Sequence, residues 1–431
     1  MPLFDEHPLR QALNNELHAR PPVTLETPEF VTYLAFLHAN GSAGRESAHL
    51  GALAEQLGLP MPDTSSGHVL LDAGGFRLKW ERHNEFTSYT FVRRIDTTDT
   101  VEENALLEVP ASWRKEIPGE LIVATHIELR SVNEVSPATV LAQLSPTGMT
   151  TVASQVADGA GWVFTDFQIA DGFSRFLLLD ASLTPRQAGR TVQRLLEIET
   201  YRVMALLAFP VAKEVGRLLS RAEDELADLT DSMGSATSPE DERNVLGRLT
   251  RLAANVERSV ARTTFRFGAA AAYHRLVKQR IDDLREVRLS GYPPVREFME
   301  RRLVPAVDTC ATTARRQEDL SSRIARNSQL LRTRVDIELE RQNQELLGQM
   351  NRRAKLQLRL QETVEGLSVV AITYYGSQLV QYLAKGAKDY IAPVTPEVAT
   401  AVSIPIIAGL VALGLRRMHR QLAAEDGDAG H

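Results

Sequence analysis

The sequence predicts an α+β protein. It has a mixed, largely antiparallel α/β domain at the N-terminus, a long helical stalk or bundle, and a C-terminal two-helix transmembrane hairpin. Three observations predict this. Residues 29–182 alternate short apolar runs with turn signals, and residues 183–365 carry apolar side chains at three- and four-residue spacing. Residues 366–384 and 398–415 contain no charged side chain. Period-2 runs bounded by turns make strands, helical spacing makes amphipathic helices, and uncharged runs of this length match a hydrocarbon core.

Composition narrows the function classes. Across 431 residues, 49 Lys and Arg face 55 Asp and Glu, a formal net charge of -6. That balance excludes a dominant basic surface, so no nucleic-acid partner is expected. The single cysteine, Cys310, cannot close an internal disulfide and excludes zinc sites needing two Cys ligands. It lies in a helical stretch, where a thiol is a small packing residue more often than a nucleophile.

Residues 1–28 read as an N-terminal arm. No basic segment followed by an apolar run is present, so the arm is expected to stay in the cytoplasm. Within it, His18 and Arg20 of Glu16-Leu17-His18-Ala19-Arg20-Pro21 have the chemistry to bind a phosphate or carboxylate. The plainer alternative is an arm docked on the sheet, with these side chains pairing locally.

Residues 29–38 read as a strand, and 45–59 as a helix with Leu50, Leu53, Ala54 and Leu57 on one side. Residues 75–81 and 86–94 form a hairpin across a short polar turn, and 120–129 form another strand. Ser136-Pro137 sets an N-cap and a first helical position. Residues 161–169 and 173–181 make a second hairpin around Asp171-Gly172. The shared order of strand, helix and hairpin makes an internal duplication one reading of this domain.

The densest polar cluster is Trp80-Glu81-Arg82-His83-Asn84-Glu85-Phe86. In an extended strand Glu81, His83 and Glu85 share a face, and two carboxylates with an imidazole can hold a divalent metal or move protons. In the alternative, His83-Asn84 is the hairpin turn and breaks that alternation. No HExxH, P-loop, GxSxG or GxGxxG motif occurs.

The helical region, 183–365, starts at the Thr184-Pro185 cap. It predicts one helix of more than forty residues to about Met233, and a second from the Ser238-Pro239-Glu240-Asp241 box to about Ser290. Gly291-Tyr292-Pro293-Pro294 separates a third helix, kinked at Pro305 and running without a stop into the membrane. Leu320, Ile324, Leu331, Val335, Leu339, Leu346, Met350 and Leu356 line its stripe. A helix this long needs partners, in a bundle or a coiled coil with other copies. Its arginines interleave with Glu and Asp, the pattern of a solvated or inter-helix face.

At 1.5 Å per residue, each uncharged C-terminal run spans roughly 27–29 Å, about one hydrocarbon core. Arg352, Arg353, Lys355 and Arg359 precede the first run, and Arg416, Arg417 and Arg420 follow the second. The loop 385–397 carries only Lys385 and Lys388 as cations. The positive-inside rule places that loop outside, with both termini and the 416–431 tail in the cytoplasm. In the first run Ser377, Gln378 and Gln381 either hydrogen-bond helix to helix or line a pore in a symmetric oligomer.

Three stretches together carry a resemblance: Glu16 to Pro21, Lys79 to Phe86, and Val364-Glu365-Gly366-Leu367-Ser368-Val369-Val370-Ala371-Ile372. On them the chain resembles a bacterial family of membrane-anchored proteins, domain-of-unknown-function family 3422, over nearly its whole length. The resemblance implies the bacterial inner membrane as location. It carries no assigned activity and no catalytic residue. The layout alone also resembles CorA-type magnesium transporters, but their Gly-Met-Asn signature has no match at Tyr375-Gly376-Ser377-Gln378, and the external loop is not acidic.

The expectation is a membrane-anchored, multi-pass homo-oligomer with a cytoplasmic sensing or scaffolding domain and a cytoplasmic protein partner. The alternatives are a CorA-like channel lined by the first span and an enzyme using Glu81, His83 and Glu85. The sequence identifies no metal or cofactor.

Overall fold

Eight alternating strands from residues 29–180 and a short ninth at 287–288, numbered in chain order, assemble into one sheet of order β2-β3-β4-β1-β5-β8-β7-β6-β9. The computed structural model describes residues 4, 7–11, 13–14, 21–38, 43–95, 105–144, 151–386 and 395–428. Its elements are β1 (Glu29–Leu37), α1 (Ala43–Gln56), β2 (His68–Asp72), β3 (Arg77–Arg82), β4 (Phe86–Arg94), α2 (Ala111–Lys115), β5 (Glu120–Ser131), α3 (Pro137–Leu144), β6 (Val152–Val156), β7 (Gly161–Ala170) and β8 (Phe173–Asp180). Then come α4 (Pro185–Leu206), α5 (Ala208–Ser235), α6 (Pro239–Leu284), β9 (Val287–Arg288), α7 (Val295–Arg302), α8 (Val304–Gly386) and α9 (Pro396–Asp428).

Both expected hairpins form, with β3 antiparallel to β4 and β7 antiparallel to β8. Around the central β1·β5 pair each side carries a three-strand meander. However, β4 runs antiparallel to β1 whereas β8 runs parallel to β5.

Period-2 alternation gives the sheet two buried faces. On one, Leu50 and Leu53 of α1 pack with Leu78, Trp80, Tyr89, Phe91 and Trp113. On the other, Leu195 and Ile198 of α4, Val277 and Ile281 of α6 and Met299 of α7 cover Val31, Ile127 and Leu129. Each fully buried side chain of this size contributes on the order of 1.5–3 kcal/mol. The helices beyond the sheet pack on small residues, Ala208, Ala212, Ala270 and Cys310, around Phe267. A buried polar step joins α6 to α8, where Gln317 Nε2 donates to Ser259 Oγ at 2.9 Å.

By compactness the chain has two units. One is Met1–Thr237 with Asn244–Gln329, and the other is Ser238–Arg243 with Leu330–His431. The first holds the sheet and its covering helices.

Several expectations are corrected. The first long helix is two, because Pro210 cannot donate to the carbonyl of Leu206 and its ring crowds it, leaving a break at Leu207. The second helix stops at Leu284, short of Ser290, since Arg285 takes a left-handed φ of 50° and β9 follows. The third breaks at Leu303, so Pro305 falls in the first turn of α8, where its missing N–H costs nothing. Of the expected two-helix hairpin, one helix is matched. Among the described residues one helix is long and apolar enough to cross a membrane, α9 over Pro396–Arg417. The uncharged run in α8 is diluted by Ser377, Gln378 and Gln381 and falls short of that measure.

Candidate functional site

In the sheet-bearing unit a cavity of about 290 Å³ lies between the sheet and α4. Strand alternation builds its floor. On β3 Lys79 and Glu81 point to this side while Leu78 and Trp80 point to the apolar core behind. The register sets Thr90 opposite Lys79 and Ser88 opposite Glu81, and Tyr33 of β1 lies beyond Thr90. His83 and Phe86 from the hairpin turn form one end, with their rings stacked at 4.3 Å. Helical spacing builds the roof, where Gln193, Glu197, Thr200 and Tyr201 of α4 face the cavity with Arg280 of α6.

Two ion pairs face this space. Lys79 Nζ sits 3.0 Å from Glu81 Oε1, with side chains only 8% and 12% exposed. Arg280 pairs through Nε with Glu197, and Gln193 Nε2 donates to the other Glu197 oxygen at 2.8 Å. Burial works against the Arg280 charge, but Glu197 outweighs it and raises that guanidinium above its ordinary value. Tyr33 Oη is hydrogen-bonded to Thr200 Oγ1 at 3.0 Å. Burial, helped by the Glu81 charge, raises the Tyr33 phenol well above its ordinary value, so it stays protonated. Among the described residues no donor reaches the buried Gln193 Oε1.

Seven-residue spacing on α6 sets a row of contacts that ends at the cavity with Arg280. Arg266 pairs with Glu85, Tyr273 stacks on Tyr201 at 5.6 Å, and Arg280 pairs with Glu197. Burial and the Glu85 carboxylate raise the Tyr273 phenol above its ordinary value. At the arm, a Cβ on Gly189 would strike the Val23 carbonyl, so glycine there lets the arm lie against α4.

The sequence-derived candidates separate. Glu81 and His83 share the cavity, although His83 lies in the turn, where His83 N donates to Phe86 O at 2.8 Å. Glu85 is engaged by Arg266, and Arg82 faces Glu46 of α1 at 3.3 Å. Among the described residues no group of three or more His, Cys, Asp or Glu is placed to hold a metal, so the proposed Glu81-His83-Glu85 set does not converge. His18 and Arg20 lie outside the described residues. Ser377 is buried and donates to Tyr374 O at 2.8 Å, while Gln378 and Gln381 are half-buried. One turn position away, Gly376 lies so close to Ile407 of α9 that a Cβ would meet it at 3.3 Å.

Sequence reasoning missed Lys79, Tyr33, Gln193, Glu197, Thr200, Tyr201 and Arg280. The one available signal is that Glu197, Thr200 and Tyr201 interrupt the apolar stripe of Leu195, Leu196 and Ile198.

The arrangement offers charge-assisted donors and acceptors of both signs in a half-enclosed space. Such a space is suited to holding a small polar ligand. A family model described as Protein of unknown function (DUF3422) matches residues 5–422, and the chain belongs to that family. No curated protein and no solved structure matches it.

Proposed function

We propose that this member of the family is a membrane-anchored sensing protein whose sheet-bearing unit holds a small polar ligand in the cavity under α4. The observation that carries the reading is the pair of ion couples, Lys79–Glu81 and Arg280–Glu197, turned toward one cavity. Packing alone would favour apolar residues there, because a buried ion pair seldom outperforms well-packed hydrophobic groups. Mixed charge around a cavity is the arrangement of binding sites.

The anchor is α9, whose apolar stretch Pro396–Arg417 has the length of a hydrocarbon core. We take the uncharged run 366–384 of α8 as its partner span, which makes the chain multi-pass in the bacterial inner membrane with both termini cytoplasmic. Self-association is proposed along the exposed Leu346, Met350 and Leu360 of α8, with a cytoplasmic protein as the downstream partner. A CorA-like role remains a proposal on layout alone. It would set Gln378 or Gln381 toward an axis and is tested by ion flux in proteoliposomes.

The experiment for the sensing reading is thermal unfolding of the full chain in detergent, with fractions of a bacterial small-molecule extract added. At least one fraction should raise the midpoint, and the double variant K79M/E81L should lose that rise. No stabilising fraction, or equal stabilisation of the double variant, defeats the reading.

A further inference from the structure

We infer that the cavity under α4 takes a small zwitterion of the α-amino-acid class, an inference that rests on the cavity being a ligand site. Size sets the scale. About 290 Å³ lies at the small end of ligand pockets and equals the liquid volume of roughly ten waters. That suits a metabolite with few heavy atoms.

Charge sets the class. The lining carries two cations, Lys79 and Arg280, and two carboxylates, Glu81 and Glu197, each already facing its opposite. A ligand with one negative charge meets Lys79 only beside Glu81, and one with one positive charge meets Glu197 only beside Arg280. The two ion couples already balance, so a single added charge would leave the cavity with a net charge largely out of water, whereas a ligand of zero net charge would not. A ligand carrying both signs meets an attractive partner at each end.

Hydrogen bonding sets the orientation. Lys79 has three donors, of which Glu81 takes one among the described residues, leaving donors for a carboxylate. Gln193 Oε1 is a buried acceptor that no donor among the described residues reaches, next to the Glu197 carboxylate. A buried acceptor left unmet is costly, and an ammonium group supplies three N–H donors. The carboxylate end is thus assigned to Lys79 and the ammonium end to Gln193 and Glu197. Val31, Val92 and Leu196 leave an apolar wall for a side chain.

The test is calorimetric titration of the full chain in detergent with each of the twenty L-amino acids. Acetate, propionate, ethylamine, glycerol and glucose serve as probes lacking one or both charges. At least one amino acid should bind saturably, and the singly charged probes should bind at least about tenfold more weakly, the ratio set by one charge-assisted hydrogen bond. K79M and, independently, Q193L should each weaken the amino acid by about tenfold or more. E223Q, on α5 in the bundle, should leave it unchanged. Q193L deletes no charge and keeps the test alive if K79M fails to fold, as judged by its unfolding midpoint. Propionate or glucose binding as tightly as any amino acid, with loss in K79M, overturns the zwitterion and keeps the ligand site. No binding by any amino acid, or amino-acid binding in Q193L and K79M as tight as in the parent, overturns the inference. Silence from all the probes, with no extract fraction stabilising the chain, also ends the ligand-site reading.

Discussion

Removing one member of the Lys79–Glu81 pair should destabilise the sheet-bearing unit far more than removing both. The partners are 3.0 Å apart and at most 12% exposed, so either charge left alone sits largely out of water. Breaking a fully buried pair costs about 3–5 kcal/mol, and the open cavity lets some water reach the survivor. We therefore expect K79M and E81L each to cost about 2–4 kcal/mol. The double variant replaces the pair with apolar groups of similar length and should stay within about 1 kcal/mol of the parent. The coupling in the double-mutant cycle is then at least about 3 kcal/mol. Urea unfolding followed by tryptophan fluorescence reads this directly. All three tryptophans, Trp80, Trp113 and Trp162, lie in the sheet-bearing unit, and Trp80 is fully buried on the same strand as the pair. Single variants that each cost under about 0.5 kcal/mol and simply add would refute the reasoning, because a solvated pair behaves that way.

Two further outcomes follow from single residues. Burial, helped by the Arg175 charge, pushes the His126 imidazole down to about 4, and it accepts or donates at 3.0 Å with Thr32 Oγ1. Its folded value lies below the unfolded value near 6.5, so the unfolded chain binds the extra proton. Stability should fall as pH drops from about 6.5 to about 4, by on the order of 3 kcal/mol, and be flat with respect to this group above pH 7. H126F keeps the ring stack on Phe173 and should flatten that slope, as read by urea midpoints across pH; an unchanged slope assigns it elsewhere. Glu286 accepts from the backbone N–H of Val295 and Arg296, at 2.9 and 3.0 Å, and from Ser154 Oγ at 2.6 Å. It thereby caps α7 and ties it to β6, so E286A should cost about 1–2 kcal/mol in the same urea assay.

Much of the sheet was legible because its signals are local. Asp171-Gly172 supplies the positive-φ turn of the β7–β8 hairpin, and Ser136 accepts from Thr139 N at 3.1 Å as a cap should. The strands left unread are short or small-sided: β2, β6 with its Ala-Ser-Gln centre, and the two-residue β9. Of these, β9 takes its pairing from β6, far back along the chain, and the parallel β5·β8 contact is likewise one that no local pattern announces. The long helices were legible from their stripes. Their ends were not, because the break at Leu207 and the stop at Arg285 depend on a proline clash and a left-handed residue.

The site was half legible for the same reason. Glu81 and His83 stand in a dense polar run that draws attention. Glu197 and Arg280 are separated by 83 residues and resemble solvent-facing helix charges until the fold turns them to one cavity. Glu85 sat in the same run yet serves α6 instead, since the turn at His83 aims it away from Glu81.

The most direct test of the ligand site is hydrogen exchange on the full chain in detergent, with and without the tightest-binding amino acid. The account predicts slowed exchange in peptides covering 77–92 and 185–206, the floor and roof of the cavity, with the bundle at 250–270 unchanged. Protection confined to any other part of the chain, or none at saturation, would contradict it.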